Sequence, residues 1–153
     1  MTNSHKYEQY AKKIRIFNGL EAEEVHDILR HGHSIEYHAG DSIFYKGQMG
    51  SNLFIVFHGK VNIEIDGTII SKCRAGDAFG EMSVLNHRPH SASANAATDV
   101  KLFVLSEQEI HKILEENHAA VKMLLNVIHM LSGYLENANT VIAKTGAYKE
   151  LIK

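Results

Sequence analysis

The chain contains one cysteine, one proline and no long uninterrupted apolar run. Cys73 alone cannot form an internal disulfide, which agrees with a reducing compartment. With no C-x-x-C pair, no P-loop and no nucleophile elbow, the motif-borne classes of redox, phosphoryl-transfer and hydrolase chemistry lose their usual signatures. No stretch approaches the roughly 20 apolar residues of a membrane span. The opening MTNSHKYEQYAKK has no apolar run behind its charges, so no signal peptide is visible and a cytoplasmic location is expected. Basic charge is also scarce: 16 Lys and Arg against 18 Asp and Glu give a net charge of −2. No basic field exists to attract nucleic acid. What remains is an ordinary globular balance, 44% hydrophobic and 22% charged over 153 residues, enough for one domain with a real core.

The pattern changes twice along the chain. From residue 6 to about 31 it is helical: Ile14, Phe17, Leu20, Val25, Ile28 and Leu29 recur at helical spacing, Gly19 marks a break, and Gly32 is read as the helix stop. From 34 to 106, short apolar or alternating runs are separated by glycines. KVNIEIDGTIIS is the clearest hairpin, with Val61, Ile63 and Ile65 alternating and Asp66-Gly67 supplying a type I′ turn. Many short strands at this spacing predict a sandwich or jelly-roll barrel. From 107 to 150 the pattern is helical again, opening on a capping box of Ser106 and Glu109. The last segment carries a heptad seam, Val121, Ile128, Leu135 and Ile142 at one position and Leu124, Leu131 and Ala138 at the other. A seam this long predicts a two-stranded coiled coil between two chains, against the alternative of a helix packed on its own domain. The expected fold is therefore α+β, mainly β: one domain over 1–153, a jelly-roll β-barrel flanked by N-terminal helices and a long C-terminal helix.

Eleven histidines raise the question of a metal. His31-x-His33 followed by Glu36 superficially matches a cupin-type ligand set, but it precedes the strand pattern and no second motif follows. His5, His26, His111, His118 and His129 fall on helical segments among polar neighbours, where surface placement is expected. No metal and no catalytic residue is assigned, and the chain is not expected to be an enzyme. Cys73, between Lys72 and Arg74, is either a thiol of lowered pKa or a buried strand residue.

The stretch FGEMSVLNHRPHSAS, Phe79 to Ser93, carries the most specific chemistry. Gly80 admits backbone conformations closed to other residues and lets a ligand come near. The N–H groups of the turn it opens lack helical partners. Glu81 suits ribose hydroxyls better than a phosphate. Pro89 fixes a bend before the small-residue strand SASANAA. This stretch resembles the phosphate-binding cassette of the cyclic nucleotide-binding domain family. The resemblance extends through Gly40, Gly47 and Gly59, the lead-in AGDAFGE and the closing ATDVKLFVLSEQEIHKIL, covering roughly 17 to 135.

The resemblance implies a ligand site at Phe79, Gly80, Glu81, Met82, Ser83, Arg88, His90, Ser91 and Ala92. Gly80 and Ser83 would offer backbone N–H groups to a cyclic phosphate, Glu81 would take the ribose 2′-hydroxyl, and Ser91 would reach the phosphate through its hydroxyl. Ile55 and Ile65 would touch the base, and the long helix would cover it through Tyr134 or Asn137. The chain departs from the family at His90, where the cassette has arginine, a permanent two-pronged donor. Three outcomes follow: weaker binding, substitution by Arg88 if it shares a side with His90, or a pocket that has lost its nucleotide. Family members that regulate transcription carry a helix-turn-helix after the long helix, whereas only TVIAKTGAYKELIK follows here, so neither DNA nor membrane is an expected partner. The expected function is a stand-alone regulatory module that binds cAMP or cGMP, dimerises through Val121, Leu124, Ile128, Leu131 and Leu135, and signals to an unknown effector protein. The alternative is a degenerate fold acting as a dimeric protein-interaction module.

Overall fold

The computed structural model describes residue 9 and residues 12–116 and 118–145. His5 and the tail from residue 146 onward lie outside the described residues. Among the described residues, eight strands form two antiparallel four-stranded sheets. The first has the order β1-β8-β3-β6, with β1 at His33–Tyr37, β8 at Val100–Ser106, β3 at Asn52–His58 and β6 at Ala78–Phe79. The second has the order β2-β7-β4-β5, with β2 at Ser42–Phe44, β7 at Ser93–Ala96, β4 at Lys60–Ile65 and β5 at Thr68–Arg74. The sheets pack face to face as a jelly-roll-like sandwich and do not close into the expected barrel.

Strand composition explains the layering. β3 (NLFIVFH) and β8 (VKLFVLS) are nearly continuous in apolar residues because both faces of their sheet are covered. Phe54, Val56, Leu102 and Val104 point between the sheets, while Leu53, Ile55, Phe103 and Leu105 point at a helical layer. β4 alternates because only one face is covered: Val61 is fully buried against Cys73, Ala94 and Ala96. β4 and β5 turn through Asp66 and Gly67 at φ 50° and 83°, the positive pair a type I′ turn requires.

The helical layer combines α1 (Ala22–Leu29), α3 (Glu107–Glu116), α4 (Ala119–Thr145) and a 3-10 turn at Arg15–Phe17. The short α2 (Glu81–Asn86) belongs to the site described below. The helical pattern expected over 6–31 is split: Gln9, Lys12 and Lys13 are helical, and Gly19 at φ 80° separates the 3-10 turn from α1. Apolar residues three apart face inward, Val25 with Ile28 on α1 and Ile110 with Ile113 on α3. Each fully buried side chain of this size is worth about 1.5–3 kcal/mol. The capping box at α3 is present: the Ser106 N–H donates to Glu109 Oε2 at 2.6 Å, and the Glu109 N–H to Ser106 Oγ at 3.1 Å.

Gly32 is not the helix stop. α1 already ends at Arg30, and Gly32 is required because a Cβ there would strike the Val104 carbonyl oxygen and the Phe103 ring.

α4 divides its apolar residues between two faces. Ala120, Met123 and Val127 are buried against the chain's own helical layer. Asn126 Nδ2 donates to the carbonyls of Ile16 at 2.9 Å and Asn18 at 2.8 Å, and Lys122 Nζ lies 3.2 Å from Glu24 Oε1. The seam residues Val121, Ile128 and Leu135 are 50%, 54% and 65% exposed, with Leu124 and Leu131 half-buried at the border. Among the described residues, no helix is long and apolar enough to cross a membrane.

Gly133 meets nothing within 4 Å of an added Cβ, so it is not a close-approach glycine. Gly133→Ala is expected to raise stability by up to about 1 kcal/mol, whereas Gly32→Ala is expected to lower it by about 1–3 kcal/mol through the clash. Chemical denaturation of the two variants beside the parent chain checks both signs.

Candidate ligand-binding site

The short β6 delivers Phe79 into the core between the sheets, where its ring stacks on Phe54 with centroids 5.1 Å apart. Gly80 then turns the chain at φ 81°. Its missing side chain matters a second time, because a Cβ would lie 2.9 Å from the Asn52 carbonyl and 3.0 Å from the Phe54 ring. α2 follows and ends at His87, a non-glycine residue at φ 51°. The loop after it is stitched to the loop after β2: the His90 N–H donates to the Gln48 carbonyl at 2.9 Å, and the Gly47 N–H to the His90 carbonyl at 2.7 Å. Lys46 N–H adds a bond to Ser93 Oγ at 2.9 Å.

These elements enclose a cavity of about 580 Å³ between the second sheet, the cassette and α4. That lies within the roughly 300–1,000 Å³ range of small-molecule sites. Of the expected site residues, Phe79, Gly80, Glu81, Ser83, His90, Ser91 and Ala92 line it. Met82 lies on α2. Tyr134 and Asn137 of α4 line the cavity as expected, together with Ala138.

Two expectations fail. Arg88 is exposed and does not line the cavity, although His90 does. The two residues sit in a loop after a left-handed turn, so the period-2 rule that would put them on one side does not hold there. Ile55 points into the helical layer and Ile65 is not on the cavity, whereas Ile63 and Ile70 are. A register shift between Ile63 and Glu64 ends the alternation that would have carried Ile65 inward.

The electrostatics of the cavity are dominated by burial. Burial pushes the Glu81 carboxyl above the ordinary carboxylate range, opposed only in part by its own backbone N–H. Burial, reinforced by Asp77 and Glu81, pushes the Cys73 thiol up to about 12. Of the two readings of Cys73, the buried strand residue is therefore the one observed. Tyr134 is pushed up to about 12 by burial and by the neighbouring Cys73, Asp77 and Glu81, with Arg15 opposing.

His90 is only 8% exposed, and burial holds it below the usual imidazole range. Its ring stacks on Phe44, 3.6 Å away and 6° from parallel, and Gly50 packs against its Nε2 so closely that any side chain there would collide. The sequence offered no sign of this arrangement, because residues 44, 50 and 90 are distant in the chain and meet only across the stitched loops. The register Val61↔Cys73 could have placed Cys73 on the inner face.

The expectation for Ser83 concerned its backbone N–H, and its side chain has a separate task. It is buried, and its hydroxyl is committed: its one proton is shared between the carbonyls of Gly50 at 2.6 Å and Arg88 at 2.9 Å. Its side chain therefore anchors α2 to the loops on either side. Among the described residues, no three His, Cys, Asp or Glu side chains converge as a metal site.

Ser83→Ala would remove the one hydroxyl donor that serves the part-buried Gly50 and Arg88 carbonyls. It is expected to lower stability by about 1–3 kcal/mol, read as a lower denaturant midpoint with an unchanged slope.

Comparison with known proteins agrees with this geometry. Residues 34–117, more than half of the chain, match the family described as Cyclic nucleotide-binding domain. The Cyclic AMP receptor protein of Thermus thermophilus is 34% identical over 125 residues, spanning 78% of this chain and 55% of the relative. The cGMP-dependent protein kinase egl-4 of Caenorhabditis briggsae is 27% identical over 128 residues, spanning 81% of this chain but 17% of the kinase. The chain thus spans only part of the length of these relatives. Among solved structures, the Thermus thermophilus Catabolite Activator Protein superposes with a TM-score of 0.76 at 29% identity, covering 84% of this chain and 62% of that one. The chain belongs to the cyclic nucleotide-binding domain family.

Proposed function

We propose that the cavity binds a cyclic mononucleotide, cAMP or cGMP, and that a protein partner reads its occupancy through α4. The observation that carries this reading is the convergence of the cassette residues on one cavity roofed by Tyr134 and Asn137. Gly80 and the first turn of α2 supply backbone N–H groups for the phosphate, Glu81 accepts from the ribose, and Ser91 adds a hydroxyl. Ile63 and Ile70 give the base an apolar wall. A ligand touching both cassette and α4 contacts the helix differently from an empty cavity, and this difference is what can shift its position. The relatives' names include both a cyclic AMP receptor and a cGMP-dependent kinase, so both nucleotides belong in the first titration. The module acts as a binding and signalling unit, with no catalytic step assigned to it.

One observation favours a second reading, an interaction module without a nucleotide ligand: among the described residues, no Lys or Arg lines the cavity. His90→Arg separates the two. A charged hydrogen bond is worth about 1.5–3 kcal/mol. The substitution is therefore expected to tighten cAMP or cGMP binding by about ten- to a hundredfold in calorimetric titration. Unchanged affinity would sink the assignment of position 90 to the phosphate.

The exposed seam of α4 supports self-association. Val121, Ile128 and Leu135 lie on its free face with Leu125 and Val141, and Leu124 and Leu131 border it. A helix pairing through this seam would tie two sensors together next to their cavities. The double substitution Ile128→Asp, Leu135→Asp is expected to convert a dimer into a monomer in sedimentation equilibrium while leaving the far-ultraviolet spectrum of the fold intact. A parent chain that sediments as a monomer would overturn the dimer.

A further inference from the structure

We propose that His90 governs admission to the cavity by taking up a proton as an anionic cyclic nucleotide binds, so that affinity rises as pH falls. The inference rests on the cyclic nucleotide reading above and specifies how that site is regulated.

The argument begins with what the walls hold. A cyclic phosphodiester keeps one negative charge throughout the physiological pH range. The titratable residues on the cavity wall are Glu81 on α2, Cys73 on β5, Tyr134 on α4 and His90. The first three are neutral or negative in every protonation state. The basic residues nearby do not line the cavity: Lys46 pairs with Asp66 at 3.2 Å, Arg15 pairs with Asp77 at 3.7 Å, and Arg88 is exposed. Among the described residues, an anion entering beside Glu81 therefore meets no Lys or Arg side chain on the wall. Among the described residues, His90 is the one wall residue able to become a cation.

Its setting suits that role. The ring is more than nine-tenths buried and lines the cavity. A phosphate oxygen in the cavity can accept a hydrogen bond from the ring, and a protonated ring supplies both the donor and the offsetting charge. Phe44 lies flat beneath the ring at 3.6 Å, a contact that further favours the cation. Phe44 on one face and Gly50 packed against Nε2 limit reorientation, so proton uptake rather than rearrangement is the available response.

The sign follows from linkage. In the empty cavity, burial holds the His90 pKa below its ordinary value, so the ring is neutral at pH 7. A bound anion favours the protonated form and raises that pKa. Between the two pKa values, each binding event takes up one proton, and Kd rises about tenfold for each unit of pH. Below the free-state value His90 is already charged and affinity levels off at its highest. Above the bound-state value affinity levels off at its lowest.

Calorimetric titration of the full chain with cAMP and with cGMP tests this, run from about pH 5.5 to 8.5 at constant ionic strength in two buffers of different ionisation enthalpy. The expected result is a Kd that rises with pH and an uptake of close to one proton per nucleotide within the window. His90→Arg is expected to bind more tightly and to lose the pH dependence. Glu81→Gln, although weaker, is expected to keep it. A pH-independent Kd in the parent chain overturns proton coupling and leaves the nucleotide reading in place. Loss of the slope in Glu81→Gln moves the proton to Glu81 and overturns the assignment to His90, as does a slope that survives in His90→Arg. If neither the parent chain nor a folded His90→Arg variant binds either nucleotide at any pH, the nucleotide reading fails and this inference fails with it.

Discussion

The sheet β1-β8-β3-β6 is apolar on both faces, and the remaining architecture follows from covering it. β3 and β8 send Phe54, Val56, Leu102 and Val104 one way and Leu53, Ile55, Phe103 and Leu105 the other. Neither face can be left in water, since each such side chain would forfeit about 1.5–3 kcal/mol. The second sheet covers one side. α1, α3, the 3-10 turn and the first half of α4 cover the other. Asn126 and Lys122 then hold α4 against the chain's N-terminal region. The far half of α4 projects beyond the covered area, bringing Tyr134, Asn137 and Ala138 over the cavity. The site's roof is thus a consequence of core burial elsewhere.

The cavity itself concentrates groups whose charged forms burial disfavours. Glu81, Cys73, Tyr134 and His90 are all displaced towards their neutral forms by desolvation. The structural polar contacts are elsewhere, in the paired loops around Gly47, Gln48 and His90 and in the Ser83 hydroxyl. Shape is therefore held by hydrogen bonds of the cassette and the loops beside it. That arrangement holds the site in shape before a ligand enters, and the identity of residue 90 matters for what can enter.

Much of this was legible beforehand. The alternation of Val61 and Ile63, the Asp66-Gly67 turn and the Ser106–Glu109 box each act over a few residues, and each took the form its local chemistry predicts. The cassette was legible for the same reason, since Gly80, Glu81 and Ser83 follow one another directly. Other readings failed where contact was remote. Gly32 read as a helix stop, yet its constraint comes from Phe103 and Val104, some seventy residues away. Ile65 read as a cavity residue until the irregularity at Ile63 and Glu64 shifted it. Arg88 read as a possible stand-in for the missing arginine, but the loop geometry turned it outward.

The heptad pattern of α4 sits between these cases. Its two sets of apolar residues were visible as a periodicity, but which face met the protein's own core depended on the docking of the 3-10 turn at Arg15–Phe17. By itself, the sequence determined the strands, the turns, the cassette and the absence of a fixed positive charge at position 90, because these depend on residue type and on neighbours within a few positions. Only the tertiary structure decided that His90 is stacked on Phe44 and shut against Gly50, that Cys73 is an inert wall residue, and that α4 roofs the cavity. Those outcomes depend on contacts between segments far apart in the chain, and burial, which shifts each group's charge, exists only once those segments have come together.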